Sequence, residues 1–98
     1  GNITSIEQYT FAGCTSLIWL RIPSTCTFIA KYSFEHCDAL TTLIVEAITP
    51  PTIEMYTINV VPELKIYVPD ASVNTYKNNN LWSQYANRIY ALSSLSVE

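Results

Sequence analysis

Two stretches of the chain, residues 6–22 and 29–45, repeat one pattern of hydrophobic and polar positions at an offset of 23 residues. The shared positions pair as Ile6 with Ile29, Tyr9 with Tyr32, Phe11 with Phe34, Cys14 with Cys37, Leu17 with Leu40, Leu20 with Leu43 and Ile22 with Val45. A fixed period in the twenties is typical of a solenoid, in which one structural unit per period stacks on the next. The pattern therefore predicts a repeat protein.

Each period ends in a short alternating run that predicts a strand, at 20–22, 43–45, 65–68 and 88–92. Apolar residues on one side of such a run face the core. Strands that recur once per period in the same direction can only pair in parallel. We therefore predict four parallel strands with two inward columns. The columns are Leu20, Leu43, Ile66 and Ile89, and Ile22, Val45, Val68 and Ala91.

The apolar residues of the bend between strands, Tyr9, Phe11, Cys14 and Leu17, are spaced too irregularly for a full helix, and we interpret this side as turns or one 3₁₀ turn. The whole chain, 1–98, then forms one domain: a first coil over 3–25, a second over 26–49, a degenerate third over 50–69 and a helical C-terminal cap with the last strand over 70–98. Asp70 is the predicted N-cap of a short helix over 71–77, and helical spacing predicts a second over 81–89.

The motif I-x-x-Y-x-F-x-x-C-x-x-L-x-x-L-x-I-P, which runs from Ile6 to Pro23, resembles the BspA-type leucine-rich repeat of bacterial surface proteins. The second copy departs from the motif where Glu46 replaces the proline, and His36 is a further departure. The resemblance implies a right-handed solenoid superhelix with a parallel sheet on one face, an extracellular or cell-surface location, adhesion to host molecules and no enzymatic residues. We interpret the chain as the C-terminal fragment of a longer array.

Composition narrows the class of function. The chain has 98 residues, 49% of them hydrophobic, which suffices for one continuous core. A net charge of −3 argues against a general nucleic-acid binder, whose affinity would rest on neutralising phosphates. No apolar run reaches the length of a membrane span. We also expect self-association through the N-terminal end, where Ile6, Phe11 and Leu20 lack an upstream coil to cover them.

Three cysteines, an odd number, do not make a complete disulfide framework. Cys14 and Cys37 occupy equivalent places in adjacent coils, close enough for a disulfide, but their side chains would run parallel. We therefore favour buried, reduced thiols without metal for Cys14, Cys26 and Cys37 over a disulfide. His36 beside Cys37 suggests a metal or Cys/His catalytic site, but adjacent residues rarely aim at one point, and a turn histidine is the simpler interpretation.

The outward strand positions carry an aromatic and basic set, which we take as the candidate ligand-binding site. Its members are Trp19, Arg21, Ile44, Lys65, Tyr67, Arg88 and Tyr90. Trp, Tyr and Arg dominate binding hot spots, and exposed apolar patches often mark interaction sites. Strand propensity also favours Tyr, Ile and Trp, so the sequence leaves a structural explanation open.

The favoured function is a non-enzymatic module of an exported bacterial protein that binds a host or bacterial surface protein, or a glycan, through its exposed sheet face, without a cofactor. The alternative is a structural C-terminal cap of a longer array whose binding coils lie upstream. An enzyme is disfavoured because no nucleophile and base stand at a suitable spacing. A solvent-open surface of Trp19, Tyr67 and Tyr90 favours binding, and one covered by the chain itself favours the cap.

Overall fold

The described strands recur once or twice per repeat and pair with strands of neighbouring repeats. In a computed structural model, which describes residues 4–54, 57–58 and 63–95, the strands are β1 (Ser5–Ile6), β2 (Trp19–Ile22), β3 (Phe28–Ile29), β4 (Thr42–Val45), β5 (Thr52–Ile53), β6 (Lys65–Val68) and β7 (Ile89–Ala91). They form one parallel sheet in the order β1-β3-β5 and another in the order β2-β4-β6-β7. This layout is that of a leucine-rich-repeat-like fold.

The register of the larger sheet confirms the predicted parallel pairing. Leu20 lies beside Leu43, Leu43 beside Ile66 and Ile66 beside Ile89. In the second column Ile22 pairs with Val45, and Val68 pairs with Ala91. Leu43 and Ile66 are fully buried, and Ile89 is buried as well on the edge strand β7, where the C-terminal helical segment packs against the core, whereas Leu20 on the other edge strand, β2, is only half-buried.

The bends between the strands stack on one another as regularly as the strands do. The rings of Tyr9 and Tyr32 are stacked with centroids 5.6 Å apart, and those of Phe11 and Phe34 with centroids 5.3 Å apart. Backbone hydrogen bonds connect the bends, since the Phe11 N–H donates to the Ser33 carbonyl at 2.8 Å. Each bend is therefore supported by the equivalent bend of the next repeat, as in other repeat proteins.

The C-terminal region is helical, as predicted, but mostly in 3₁₀ form. A 3₁₀ turn at Asp70–Ser72 leads into α1 (Val73–Asn78), and further 3₁₀ helices run over Trp82–Arg88 and Leu92–Ser94. The prediction that Asp70 caps the first helix is wrong. Its Oδ1 accepts a hydrogen bond from the Ser93 N–H at 2.9 Å, because the coil brings the residues after β7 next to it.

Asn79 is the C-cap of α1 and lies shortly before the second helical segment. Its Oδ1 accepts hydrogen bonds from the N–H groups of Leu81 at 2.8 Å and Trp82 at 3.2 Å. An asparagine side chain near the start of a helix can in this way satisfy N–H groups that have no partner within the helix. The run of three asparagines at 78–80 contained this signal, since its middle residue accepts both bonds.

Candidate functional site

Most of the predicted site residues come together on the outer face of the β2-β4-β6-β7 sheet. One row across it runs from Arg21 to Ile44, Tyr67 and Tyr90. A second row contains Trp19, Thr42 and Lys65. Because the strands pair in parallel without a shift, the predicted set is contiguous along the face.

Arg88 is the exception, because it is not a strand residue. It ends the 3₁₀ helix Trp82–Arg88, and β7 begins one residue later than predicted. Its Nη1 donates a hydrogen bond of 3.2 Å to the carbonyl oxygen of Leu64. Arg88 therefore stands at the border between the sheet face and the helical region.

The aromatic and aliphatic side chains on the outer face of the sheet are exposed to solvent on its two edge strands and buried on its two inner strands. Trp19 on β2 is 50% exposed and Tyr90 on β7 is 40% exposed, whereas Tyr67 is 8% exposed and Ile44 is fully buried. The expectation that Ile44 and Tyr67 are open to solvent is therefore wrong. They lie on inner strands, between long side chains on both neighbouring strands, while Trp19 and Tyr90 lie on edge strands.

Each exposed aromatic ring of the face has a basic side chain close to it. The Arg21 guanidinium carbon lies 5.8 Å from the centroid of the Trp19 ring, and the Lys65 Nζ lies 5.7 Å from that of Tyr90. These distances fit cation–π contacts. The Tyr90 ring also lies 5.9 Å from that of Tyr67. The rings are thus held in defined positions before any ligand arrives.

The positive charge at Arg21 is balanced within the protein. Its Nη1 lies 2.8 Å from the Oε2 of Glu46, the residue that replaces the proline of the motif. An exposed ion pair of this kind contributes at most about 1 kcal/mol to stability. Its main effect is therefore to fix the guanidinium beside Trp19 and to reduce the net charge at that side of the face.

A cleft of about 610 Å³ adjoins the other side of the face, where β6, β7 and the 3₁₀ helix Trp82–Arg88 meet. Most of its lining residues are polar: Glu63, Leu64, Lys65, Gln84, Tyr85, Asn87, Arg88 and Tyr90. Lys65, Arg88 and Tyr90 are among the predicted site residues, whereas Gln84 and Asn87 were not predicted. Nothing in the repeat pattern marks these two, because they belong to the helical segment.

The cysteines are free, but they are not equally buried. Cys26 and Cys37 are buried, and burial raises the pKa of both thiols. The Cys37 Sγ donates a hydrogen bond of 2.8 Å to the Phe11 carbonyl. Cys14 is half-buried, so the expectation of three buried thiols is wrong for it. Its coil contains β2, an edge strand of the larger sheet in the described residues.

His36 has a structural role that the repeat period explains. It stands one period after Gly13, and both have a positive φ, of 63° and 76° respectively. Glycine adopts this conformation freely, and histidine is among the residues that tolerate it. In the described part of the chain no three His, Cys, Asp or Glu side chains form a cluster that could hold a metal ion.

Three side chains of the C-terminal region donate hydrogen bonds to backbone carbonyls in the segment after β4. Ser72 Oγ bonds Ile48 at 2.8 Å, Tyr76 Oη bonds Ala47 at 2.5 Å, and Trp82 Nε1 bonds Pro51 at 2.8 Å. The Tyr76 and Trp82 rings are fully buried and meet edge to face at 5.2 Å. Burial raises the pKa of the Tyr76 phenol. The C-terminal region is therefore joined firmly to the repeats.

Within the described residues, no helix has the length and apolar character that crossing a membrane requires. A comparison with curated proteins returned no significant match. Residues 1–96 match the family model described as the BspA type leucine rich repeat region (6 copies). That match covers nearly the whole chain and agrees with its parallel sheets and its 23-residue period. The chain belongs to the BspA-type leucine-rich repeat family.

Proposed function

We propose that this chain is a non-enzymatic interaction module of an exported bacterial surface protein, and that it binds a protein or glycan through the outer face of the β2-β4-β6-β7 sheet. Family membership supports the general class, a repeat module for protein interaction. It also favours a right-handed solenoid as the arrangement of the repeats. The observation that carries the specific proposal is the exposure of Trp19 and Tyr90, at 50% and 40%, on one face.

The geometry of these two rings suits a binding surface. Trp and Tyr supply large contact areas with few rotatable bonds, so little conformational entropy is lost when they bind. Arg21 and Lys65 approach the two rings and restrict them further. Ile44 and Tyr67 lie beneath this surface and support it rather than contact a partner. A partner would therefore contact two separate aromatic side chains, Trp19 and Tyr90, with the buried residues Ile44 and Tyr67 between them.

The test is a screen of surface proteins and glycans on arrays, followed by titration of Trp19→Ala, Tyr90→Ala and their double variant with any ligand found. We expect the double variant to weaken binding at least about tenfold, because truncation of a hot-spot aromatic typically costs more than 1 kcal/mol. Tyr9→Ala is the matched control, since Tyr9 is 55% exposed but lies on a bend away from the face. Equal affinity of the double variant and the control would contradict the proposal.

A second candidate function, the structural cap of a longer array, is supported by the hydrogen bonds of Ser72, Tyr76 and Trp82 to the segment after β4. Repeat arrays require terminal units that cover the last core layer. This role predicts that Trp82→Ala destabilises a longer array that ends in this chain, whereas Trp19→Ala with Tyr90→Ala leaves both its stability and its ligand affinity unchanged. A loss of ligand affinity in the double variant would favour the binding module instead.

A further inference from the structure

The cleft beside β7 differs from the rest of the sheet face in shape and chemistry. It is concave, it has a volume of about 610 Å³, and that volume falls within the usual range of small-ligand sites. Tyr85 lies 5% exposed in its lining, with its ring 6.2 Å from Trp82 in the core. The cleft therefore has a rigid floor that belongs to the core and walls made of polar side chains.

We infer that this cleft binds an acidic saccharide, with Lys65 and Arg88 holding the carboxylate of a uronic-acid-type sugar unit. The inference rests on the proposed function and adds a saccharide site at one side of the binding face, because Lys65 and Tyr90 belong to both the sheet face and the cleft. Glycan binding at the side of the face would then be separate from the contact made by Trp19 at its far side.

Charge is the first argument for an anionic ligand. The chain has a net charge of −3 and only five Lys and Arg residues, yet two of them line this cleft against one carboxylate, Glu63. The hydrogen bond from Arg88 to the Leu64 carbonyl fixes the guanidinium at the wall. A guanidinium presents its N–H donors in a planar fork that matches the two oxygens of a carboxylate.

The amide side chains suit the hydroxyl groups of a sugar. Gln84 and Asn87 stand on the same wall as Arg88, and the Gln84 Nε2 donates to the Leu81 carbonyl at 2.8 Å, which orients its amide. Amides both donate and accept hydrogen bonds, as sugar hydroxyls do. The wall therefore complements a ligand that combines hydroxyls with a negative charge.

Tyr90 supplies the apolar contact that a sugar ring needs. Its ring is 40% exposed at the cleft and is held against Tyr67. In the unbound protein the Lys65 ammonium lies over this ring. Exposed cation–π contacts are weak, and the lysine stem is flexible, so the ammonium can move to the carboxylate and leave the ring to the C–H face of the sugar.

The experiment is calorimetric titration of the whole chain with three probes of similar size: trigalacturonic acid, the neutral trisaccharide galactotriose and a hexaglutamate peptide. We expect trigalacturonic acid to bind at least about tenfold more tightly than either of the others, because only it offers both charge and hydroxyls. Equal or tighter binding of hexaglutamate would overturn the inference in favour of an acidic peptide. No difference between the two saccharides would overturn it as well.

Point variants separate the cleft from general charge effects. Lys65→Gln and Asn87→Ala should each weaken trigalacturonic acid binding by about fivefold or more, since each removes a polar contact to the ligand. Lys77→Gln, which removes a basic residue of α1 outside the cleft, should leave it unchanged. An equal effect of Lys65→Gln and Lys77→Gln would show attraction by net charge only, and would overturn the inference.

Trp19→Ala distinguishes a failure of this inference from a failure of the proposed function. Trp19 lies on β2, outside the cleft, so Trp19→Ala should leave the binding of trigalacturonic acid unchanged. If a ligand found in the screen of surface proteins and glycans depends on Trp19, while trigalacturonic acid does not bind, the cleft inference fails and the sheet-face proposal stands. If Trp19→Ala weakens trigalacturonic acid as much as Lys65→Gln does, the saccharide is bound by the face and the cleft is not its site.

Discussion

Gly13 and His36 occupy equivalent positions in adjacent repeats and have the same left-handed backbone conformation, with φ of 76° and 63°. Tyr9 and Tyr32 form a second such pair, with φ of 64° and 61°. Each of the two outer bends therefore turns through two left-handed residues at fixed places. The Gly13 N–H donates to the Glu35 carbonyl at 2.8 Å, so the bend is also tied to its neighbour.

We expect Gly13→Ala to lower the free energy of unfolding by about 1 kcal/mol, because a left-handed conformation costs an L-residue about 1–2 kcal/mol. No heavy atom lies within 4 Å of the position that the new Cβ would take, so the loss would report the backbone alone. Gly13→Asn is the matched control and should lose less, since asparagine tolerates this conformation. Urea unfolding of the three proteins measures the difference. A larger loss for asparagine than for alanine would contradict this account.

Ser33→Ala should stabilise the protein by about 1 kcal/mol. Ser33 is fully buried, and its Oγ is the one buried side-chain polar atom without a hydrogen-bond partner in the described part of the chain. A buried hydroxyl without a partner costs about 1–3 kcal/mol of desolvation. Thr10, at the equivalent place one repeat earlier, donates to the Glu7 carbonyl at 2.8 Å. Thr10→Ala should therefore give no stabilisation, and equal midpoints of thermal unfolding for both variants would refute the argument.

Tyr76→Phe should destabilise the protein by about 1–3 kcal/mol, because it leaves the buried Ala47 carbonyl without its donor. Tyr90→Phe is the control. The Tyr90 side chain is 40% exposed, so removal of its hydroxyl should change the stability little. Chemical denaturation compares the two. Equal unfolding midpoints would show that the hydrogen bond between the C-terminal region and the repeats contributes nothing.

Tyr76 also makes the stability of the protein depend on pH in the alkaline range. Burial raises the pKa of Tyr76, and also that of Tyr85, above the ordinary value near 10. When the pKa of a group is higher in the folded protein than in the unfolded one, its contribution to stability is fully present at pH values below the unfolded pKa. That contribution is lost as the pH rises above the unfolded pKa. We expect stability to fall as the pH increases beyond about 10, and to fall less steeply in Tyr76→Phe. An unchanged slope in that variant would contradict the assignment.

Cys14 should react with a thiol reagent before Cys26 and Cys37. It is half-buried, whereas the other two are buried with raised thiol pKa values, and the thiolate is the reactive species. Labelling with Ellman's reagent at neutral pH should show one faster phase that disappears in Cys14→Ser. Modification of Cys37 before Cys14, detected by peptide mapping, would contradict the burial order.

We expect the chain to self-associate through β1 and β2, most simply as a two-fold dimer. Both strands are at the edges of their sheets, and β2 presents half-buried Leu20 next to half-buried Phe11. An open edge with apolar side chains is a template for pairing, and a self-complementary contact closes at two copies. Sedimentation over a range of concentrations tests this, with Leu20→Lys expected to favour the monomer. A strict monomer at high concentration would exclude the dimer.

The period of the sequence was sufficient to place the four strands of the larger sheet, but the second sheet, made of β1, β3 and β5, was not predicted because each of its strands has only two residues. A slip of one residue would turn every core side chain outward, so the repeated alternation at 20–22, 43–45 and 66–68 fixes both strand position and parallel register. The same period accounts for Gly13 and His36. The helical region was located but not described correctly, because Asp70 accepts a hydrogen bond from Ser93, a residue of the next repeat that short-range spacing does not bring to it.

The sequence by itself determined which residues lie on the outer face of the sheet, because side chains alternate along every strand. It could not determine which of them are open to solvent. Ile44 and Trp19 are both apolar and outward, yet one is fully buried and the other is 50% exposed, since one strand is inner and the other is an edge. Only the tertiary structure decided which outward side chains are exposed and where the cleft forms. Both depend on how segments that are distant in the sequence pack around the face.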